Sequence, residues 1–353
     1  MEPIRRSRRI LGNISNTVRQ DVSSSVAGSE GSSALSGRGT LATHAAQVPE
    51  ALAAAECESS ALSNEMLLQA LLPRQLPAFT GVVRPIDYSC VRHVDSPDRE
   101  NHLAVSFLVN DIYTYYRHCE IKWMPNPNYM SLQRDINERM RAILIDWLVD
   151  VHERFRLVPE VLYLTVNIID RFLSECAVAR QKLQLVGVTA MLIASKYEEI
   201  YAPEVRDFVY ISDRAYEREE ILHMEAVMLN VLKFDLTIPS ALKFLERWLK
   251  VAGASEREQY FAKFCLELCL VDYRTLRHAP SMVAASCALV SRRLIAQREW
   301  DETLYAHTGY QESNLVDCID LVTELLQSSK RSSLTAVRRR YVSKRYLGVA
   351  NLF

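Results

Sequence analysis

The chain has 353 residues, 49% of them hydrophobic and 24% charged, with a formal net charge of −1. That length supports more than one hydrophobic core, and the near-neutral charge argues against nucleic acid as the main partner. No apolar run reaches the roughly 18 residues of a membrane span, and no apolar stretch follows the basic residues 1–10, so neither a membrane partner nor a secretory signal is expected. The eight cysteines are scattered, without CxxC or Cys/His pairs at zinc spacing, so no metal or cofactor is expected. Cys265 and Cys269 share a helix face and read as core filler, which suits a reducing compartment, nucleus or cytoplasm.

Residues 21–64 are mostly Ser, Ala, Gly, Glu and Leu without sustained periodicity, and the whole of 1–100 reads as a disordered tail. Three features stand out in it. Arg8, Leu11 and Asn16 have the spacing R-x-x-L-x-x-x-x-N, which a disordered segment can present as a charge, an apolar anchor and an amide. The apolar cluster 62–72 reads as a local helix, with an export signal or a partner helix as alternatives. Ser96-Pro97-Asp98-Arg99 fits a proline-directed kinase site at Ser96, or a plain linker turn. No lysine precedes Lys122.

The ordered part begins near Leu103. Ser106–Cys119 reads as a helix, broken by Pro125 and Pro127. The run from Met140 to Phe155 has neither proline nor glycine. At about 100° per residue, Met140, Ile143, Leu144, Trp147, Leu148, Val151 and Phe155 fall in one arc of about 140°. Ala142, Ile145 and Val149 form a second apolar side. A helix apolar on two sides is surrounded, so this one is expected at the centre of a helical domain, with part of the first arc left for a partner. Further helices are predicted over Pro159–Leu173 and Arg180–Glu198, then a short one after Pro203 and a longer one over Tyr216–Leu232. The small residues Gly187, Thr189, Ala190, Ala194 and Ser195 let neighbours approach the Arg180–Glu198 helix closely.

After Pro239 the pattern restarts, with helices predicted over 240–251, 256–270, 280–296 and 312–328. Residues 281–292 can be laid on 185–196, which suggests duplication of a unit of about 100 residues. The class is therefore all-α, two tandem five-helix folds over 101–236 and 237–330. The last segment, 331–353, is a basic tail. From Lys330 on there are seven cations and no acid, which fits nuclear import, an acidic surface, or packing back on the core.

The motifs M-R-A-I-L-I-D-W-L-V-D, N-I-I-D-R-F-L, K-L-Q-L-V-G and A-S-K-Y-E-E-I-Y-A-P-E-V, in this order, resemble the cyclin box, and the likeness runs from about Val105 to Leu326. F-L-V-N-D-I-Y, F-A-K-F-C-L-E-L-C-L-V-D-Y and the closing L-T-A-V-R-R-R-Y are more similar to the mitotic B-type than to the A-type of S/G2, which stays the alternative. The resemblance implies a non-catalytic subunit that binds and activates a cyclin-dependent protein kinase at the G2/M transition and in mitosis, helps select substrates, and resides in nucleus and cytoplasm. Arg8, Leu11 and Asn16 resemble the destruction box read by the anaphase-promoting ubiquitin ligase. A cyclin-fold transcription factor binding DNA is a more distant alternative, but it would carry an N-terminal zinc ribbon, and no such ribbon is present. No catalytic grouping stands out for an enzyme.

By the same resemblance Ile112, Lys196, Tyr197, Glu225, Leu229, Phe234 and Leu236 would meet the kinase; without it, the two charges read as solvated and the apolar residues as core. Met140, Ile143, Leu144 and Trp147, rimmed by Asp150, Arg180 and Gln184, match a docking patch for R-x-L substrates or inhibitors; the plain alternative is core. Arg141 and Asp170 match a structural ion pair.

Overall fold

The computed structural model describes residues 94–352. The candidate degron Arg8, Leu11 and Asn16, the cluster 62–72 and residues 1–93 of the tail expected to be disordered over 1–100 lie outside the described residues, whereas its end is ordered, with Asp95 and Asp98 bound by Arg247 and Lys250. Among the described residues there are twelve α-helices and no strand, as the all-α reading requires. Helix α1 (Val109–Cys119) leads into a first set of five: α2 (Glu138–Phe155), α3 (Pro159–Glu175), α4 (Leu183–Glu198), α5 (Val205–Ile211) and α6 (Arg218–Val231). A second set of five follows, α7 (Ala241–Ala252), α8 (Glu256–Val271), α9 (Pro280–Ser291), α10 (Glu302–Thr308) and α11 (Glu312–Ser329), and α12 (Ala336–Val342) closes the chain.

Local chemistry sets the ends. The Asn137 side chain accepts the Met140 N–H at 3.0 Å and starts α2, while Pro159 starts α3 with no donor wasted. Ser255 and Glu258 cap α8 reciprocally, and Gly253 ends α7 in the left-handed region at φ +60°. The helix expected over Tyr216–Leu232 begins at Arg218 instead, behind a Glu217/Glu220 capping box. The stretch expected as one helix over 280–296 changes pitch at Arg292, passing into a π turn over Arg292–Ala296. There the Arg292 guanidinium donates to the Ala252 and Glu299 carbonyls and to Asp301, at 3.1, 2.8 and 2.8 Å. Cys265 and Cys269 are buried, as core filler would be.

Helix α2 is the shared element. Met140, Leu144, Leu148 and Val151 lie in the core of the first set. Val149, on the other side, belongs with Leu162 and Tyr163 to the core of the second. The two apolar sides thus face two different cores, which is why one stripe was not enough. Helix α4 lies so close to α2 that a Cβ on Gly187 would come within 2.7 Å of the Leu144 Cδ1, so a larger residue there would require the Leu144 side chain to shift.

Residues 336–352 pack on this framework, with Ala336, Val337, Tyr341, Val349 and Ala350 in the second core. Three successive arginines of α12 take three different partners. Arg338 donates to the Ala350 carbonyl at 2.7 Å, Arg339 to Asp150 at 2.6 Å, and Arg340 to Glu267 at 2.8 Å. Arg340 is buried and also donates to the Val149 carbonyl at 2.8 Å and to His152 Nδ1 at 3.2 Å. Nδ1 is therefore the acceptor, and Nε2–H donates to the Val158 carbonyl at 2.9 Å.

Burial, and then the Arg340 charge, hold His152 down at about 4 from an ordinary 6.5. His307 is likewise held down at about 4, by burial and then Arg247. A histidine depressed in the folded state is neutral there but takes a proton when unfolded. Its contribution is present above pH 6.5 and lost as pH falls towards 4, by at most about 3 kcal/mol for His152. His152→Gln, which keeps a donor and an acceptor, is expected to flatten the decline in stability between pH 6.5 and 4.5. Urea melts of the variant and the parent check this; parallel declines would show that His152 does not titrate on unfolding.

Candidate functional site

Two surfaces gather the residues singled out from the sequence. The first lies where α4 and α6 end. Lys196, in the last turn of α4, places its Nζ 2.7 and 2.9 Å from the two carboxylate oxygens of Glu225 on α6. The Tyr197 hydroxyl bonds to that of Thr237, yet the residue stays 46% exposed. Beyond α6 the chain makes a reverse turn in which Lys233 and Phe234 both take positive φ, 54° and 56°. Two non-glycine residues in that region cost of order 1 kcal/mol each or more, and such strain gathers at functional sites. The turn is fixed by the Phe234 N–H donating to the Leu229 carbonyl at 3.0 Å, and by Arg171, which donates to the Asp235 carbonyl at 2.8 Å. Lys122 adds an ion pair to the Asp235 carboxylate at 3.1 Å. Its result is a Phe234 ring left 66% exposed, while Leu236 turns back onto the first core. Leu229 is half-buried against the same core, and Ile112 is half-buried on α1.

The sequence reading omitted Ile200 and Tyr201, which stand 90% and 92% exposed in the loop before Pro203. Tyr115 on α1 is also exposed. Two bulky apolar residues beside a proline, outside any helical period, were the available signal.

The second surface runs along α2. The structure divides the expected patch. Met140 and Leu144 are buried in the first core, as the plain reading had them, so they offer little to a partner. Ile143 and Trp147 are half-buried and make up its open part. Gln184 is half-buried one turn before Gly187, the residue that meets Leu144, which brings this end of α4 to the same face. Arg180 is half-buried in the turn before α4, with a buried Nε that has no hydrogen-bond partner. Asp150 is held by Arg339.

Arg141 and Asp170 come together behind this surface, both 1% exposed. Nε reaches Oδ1 at 2.6 Å and Nη2 reaches Oδ2 at 2.7 Å. Ser96 is exposed at the first position of a short turn, between Asp95 and Asp98. Burial opposes ionisation of Asp95, but bonds from Arg247 and Lys250 overcome it and hold the carboxyl down at about 2. Among the described residues no helix is long and apolar enough to cross a membrane.

Two sets of five helices that meet at α2, with a charged and aromatic face at the end of the first, define a paired all-helical fold. Models of the cyclin N-terminal domain and the cyclin C-terminal domain match residues 111–237 and 239–352. The chain belongs to the cyclin family. It is 45% identical over 254 residues to G2/mitotic-specific cyclin-1 of Medicago sativa subsp. varia, covering 72% of this chain and 59% of that relative. It is 46% identical over 254 residues to Cyclin-B2-2 of Oryza sativa subsp. indica, covering 72% and 61%. The matched stretch thus spans about three-fifths of these relatives, and their mitotic and B-type names agree with the B-type motifs read from the sequence. A viral cyclin from herpesvirus saimiri shares the fold, with a TM-score of 0.56 at 19% identity, covering 64% of this chain and 98% of that one.

Proposed function

We propose that the chain is the non-catalytic subunit that switches on a cyclin-dependent protein kinase at the G2/M transition and in mitosis. The observation that carries this reading is the strained turn that leaves Phe234 exposed beside Tyr197 and the Lys196–Glu225 pair. A preformed face of this kind shifts a partner between two states by binding one of them better. Aromatic residues at the centre of an interface tend to dominate its affinity. Ile112, Leu229 and Leu236 supply the apolar part of the interface.

The reading extends to substrate choice and to lifetime. Ile143 and Trp147, with Asp150, Arg180 and Gln184 at the rim, take R-x-L segments of substrates or inhibitors, the leucine against the tryptophan and the cation towards Asp150. Arg8, Leu11 and Asn16 serve as the signal for the anaphase-promoting ubiquitin ligase, and Ser96 as a phosphorylation site. The protein works in nucleus and cytoplasm.

Titrating a monomeric cyclin-dependent kinase with the purified full chain tests the proposal. Phe234→Ala is expected to weaken activation about thirty-fold in Kd, the effect of losing an anchor worth about 2 kcal/mol. Trp147→Ala is expected to lower activity on an R-x-L substrate more than on a short peptide lacking the motif. A folded chain that raised the activity of no such kinase would overturn the reading.

A further inference from the structure

An arginine of the chain itself already occupies Asp150, the carboxylate assigned above to the cation of a docked peptide. Arg339 Nη2 lies 2.5 and 2.6 Å from the two oxygens of Asp150. Setting Ile143 at zero on the α2 cylinder, Trp147 falls at about +40°, Asp150 at about −20° and Asp146 at about −60°. Asp150 therefore stands between the open Ile143/Trp147 face and the edge of α2 along which α12 runs. That edge is fixed by the Ala336 N–H, which donates to Asp146 Oδ1 at 2.9 Å. Arg338 and Arg340 are committed elsewhere, to the Ala350 carbonyl and to Glu267, so Arg339 is the cation of α12 bound on the docking side. Its pair with Asp150 is partly exposed, the two side chains keeping 42% and 29% of their surface open. A pair of that kind exchanges partners readily.

We infer that Arg339 is an internal competitor for the cation of R-x-L segments, setting how strongly the groove discriminates between peptides that carry that arginine and peptides that do not. This rests on the docking reading of the Ile143/Trp147 face. With Arg339 in place the carboxylate is neutralised, and a peptide gains from its arginine only by displacing the resident one. With Arg339 removed, Asp150 is free and the peptide's cation counts in full. The groove as built therefore favours the leucine contact over the charge contact.

The test uses the full chain and two fluorescein-labelled peptides, one with Arg-x-Leu and one with alanine in place of its arginine, with binding read by anisotropy. Arg339→Ala is expected to tighten the Arg-x-Leu peptide about two- to five-fold, the range of an exposed ion pair, and to leave the alanine peptide unchanged. The gain should vanish in an Asp150→Ala background, since both act through one carboxylate. Arg339→Gln, which keeps the aliphatic stem, guards against a loss of packing in α12 and should behave alike. Unchanged affinity in both Arg339 variants, with binding still abolished by Trp147→Ala, would overturn the inference and leave the docking reading standing. A Trp147→Ala chain that bound the peptide as well as its parent would remove the docking reading, and the inference with it.

Discussion

Asp170→Ala is expected to lower the free energy of unfolding by about 3–5 kcal/mol, the usual cost of breaking a buried ion pair on one side. Asp170 accepts two bonds from Arg141 and a third, at 2.7 Å, from the Tyr129 hydroxyl. Removing the carboxylate leaves a fully buried guanidinium with only the Leu270 and Val271 carbonyls, each at 3.2 Å. Those carbonyls end α8, so the pair that ties α2 to α3 also reaches the second set of helices. The damage should therefore spread, and both sets should melt in one transition at lower denaturant. Kinase affinity should fall only in proportion to the unfolded fraction and recover at low temperature. Urea melts beside a kinase titration decide the matter. Unchanged melting with lost binding would mean that Asp170 acts at the kinase and not in the fold.

Arg340→Ala carries an effect of similar size, about 3–5 kcal/mol. It leaves Glu267 buried with the Tyr341 hydroxyl as its remaining bond, at 2.8 Å, and it removes the second donor to the Val149 carbonyl, which lies inside α2. The cost is that of an uncompensated charge, and the charge can be taken away. Arg340→Met combined with Glu267→Gln keeps an acceptor for Tyr341 and removes both charges, so it should recover most of the loss. Equal destabilisation in the single and double variants would place the effect in the packing of α12 instead.

Much of the fold was legible because it rests on short-range periodicity. The two apolar sides of α2 announced two surroundings, and Val149 does lie in a different core from Leu144. The small residues around Gly187 announced a close helix contact. Helix α10 escaped notice because it has seven residues and buries only Leu304 and Thr308, too few to make a period. The packing of α12 stayed open between two readings because its sequence is basic, and the acids that answer it are far away. Asp150 precedes Arg339 by 189 residues and Glu267 precedes Arg340 by 73, separations that no local pattern reports.

The candidate sites were legible in a different way. Lys196 and Glu225 read alone as ordinary surface charges, and only the resemblance drew them together. Spacing says nothing about a pair 29 residues apart on separate helices. The exposure of Phe234 depends on backbone angles at Lys233 and Phe234 that the residue types themselves argue against, since neither is a glycine. Met140 and Leu144 were grouped with Ile143 and Trp147 by the resemblance; on the helix Ile143 stands at one edge of the shared arc with Trp147 beside it, and Met140 and Leu144 lie further round, where the core covers them.

The return of residues 336–352 to α2 has a consequence during synthesis. At about 5–20 residues per second, some 190 residues and about 10–40 s separate the emergence of Asp150 from that of Arg339 and Arg340. For that interval a nascent chain carries the Val149 side of α2 without its final cover, and over the last 73 residues, about 4–15 s, the acid of Glu267 as well. Ribosomes that stall or stop early would release a sticky product, and chaperones that shield greasy surfaces should be found on these translating complexes until the last arginine is in place.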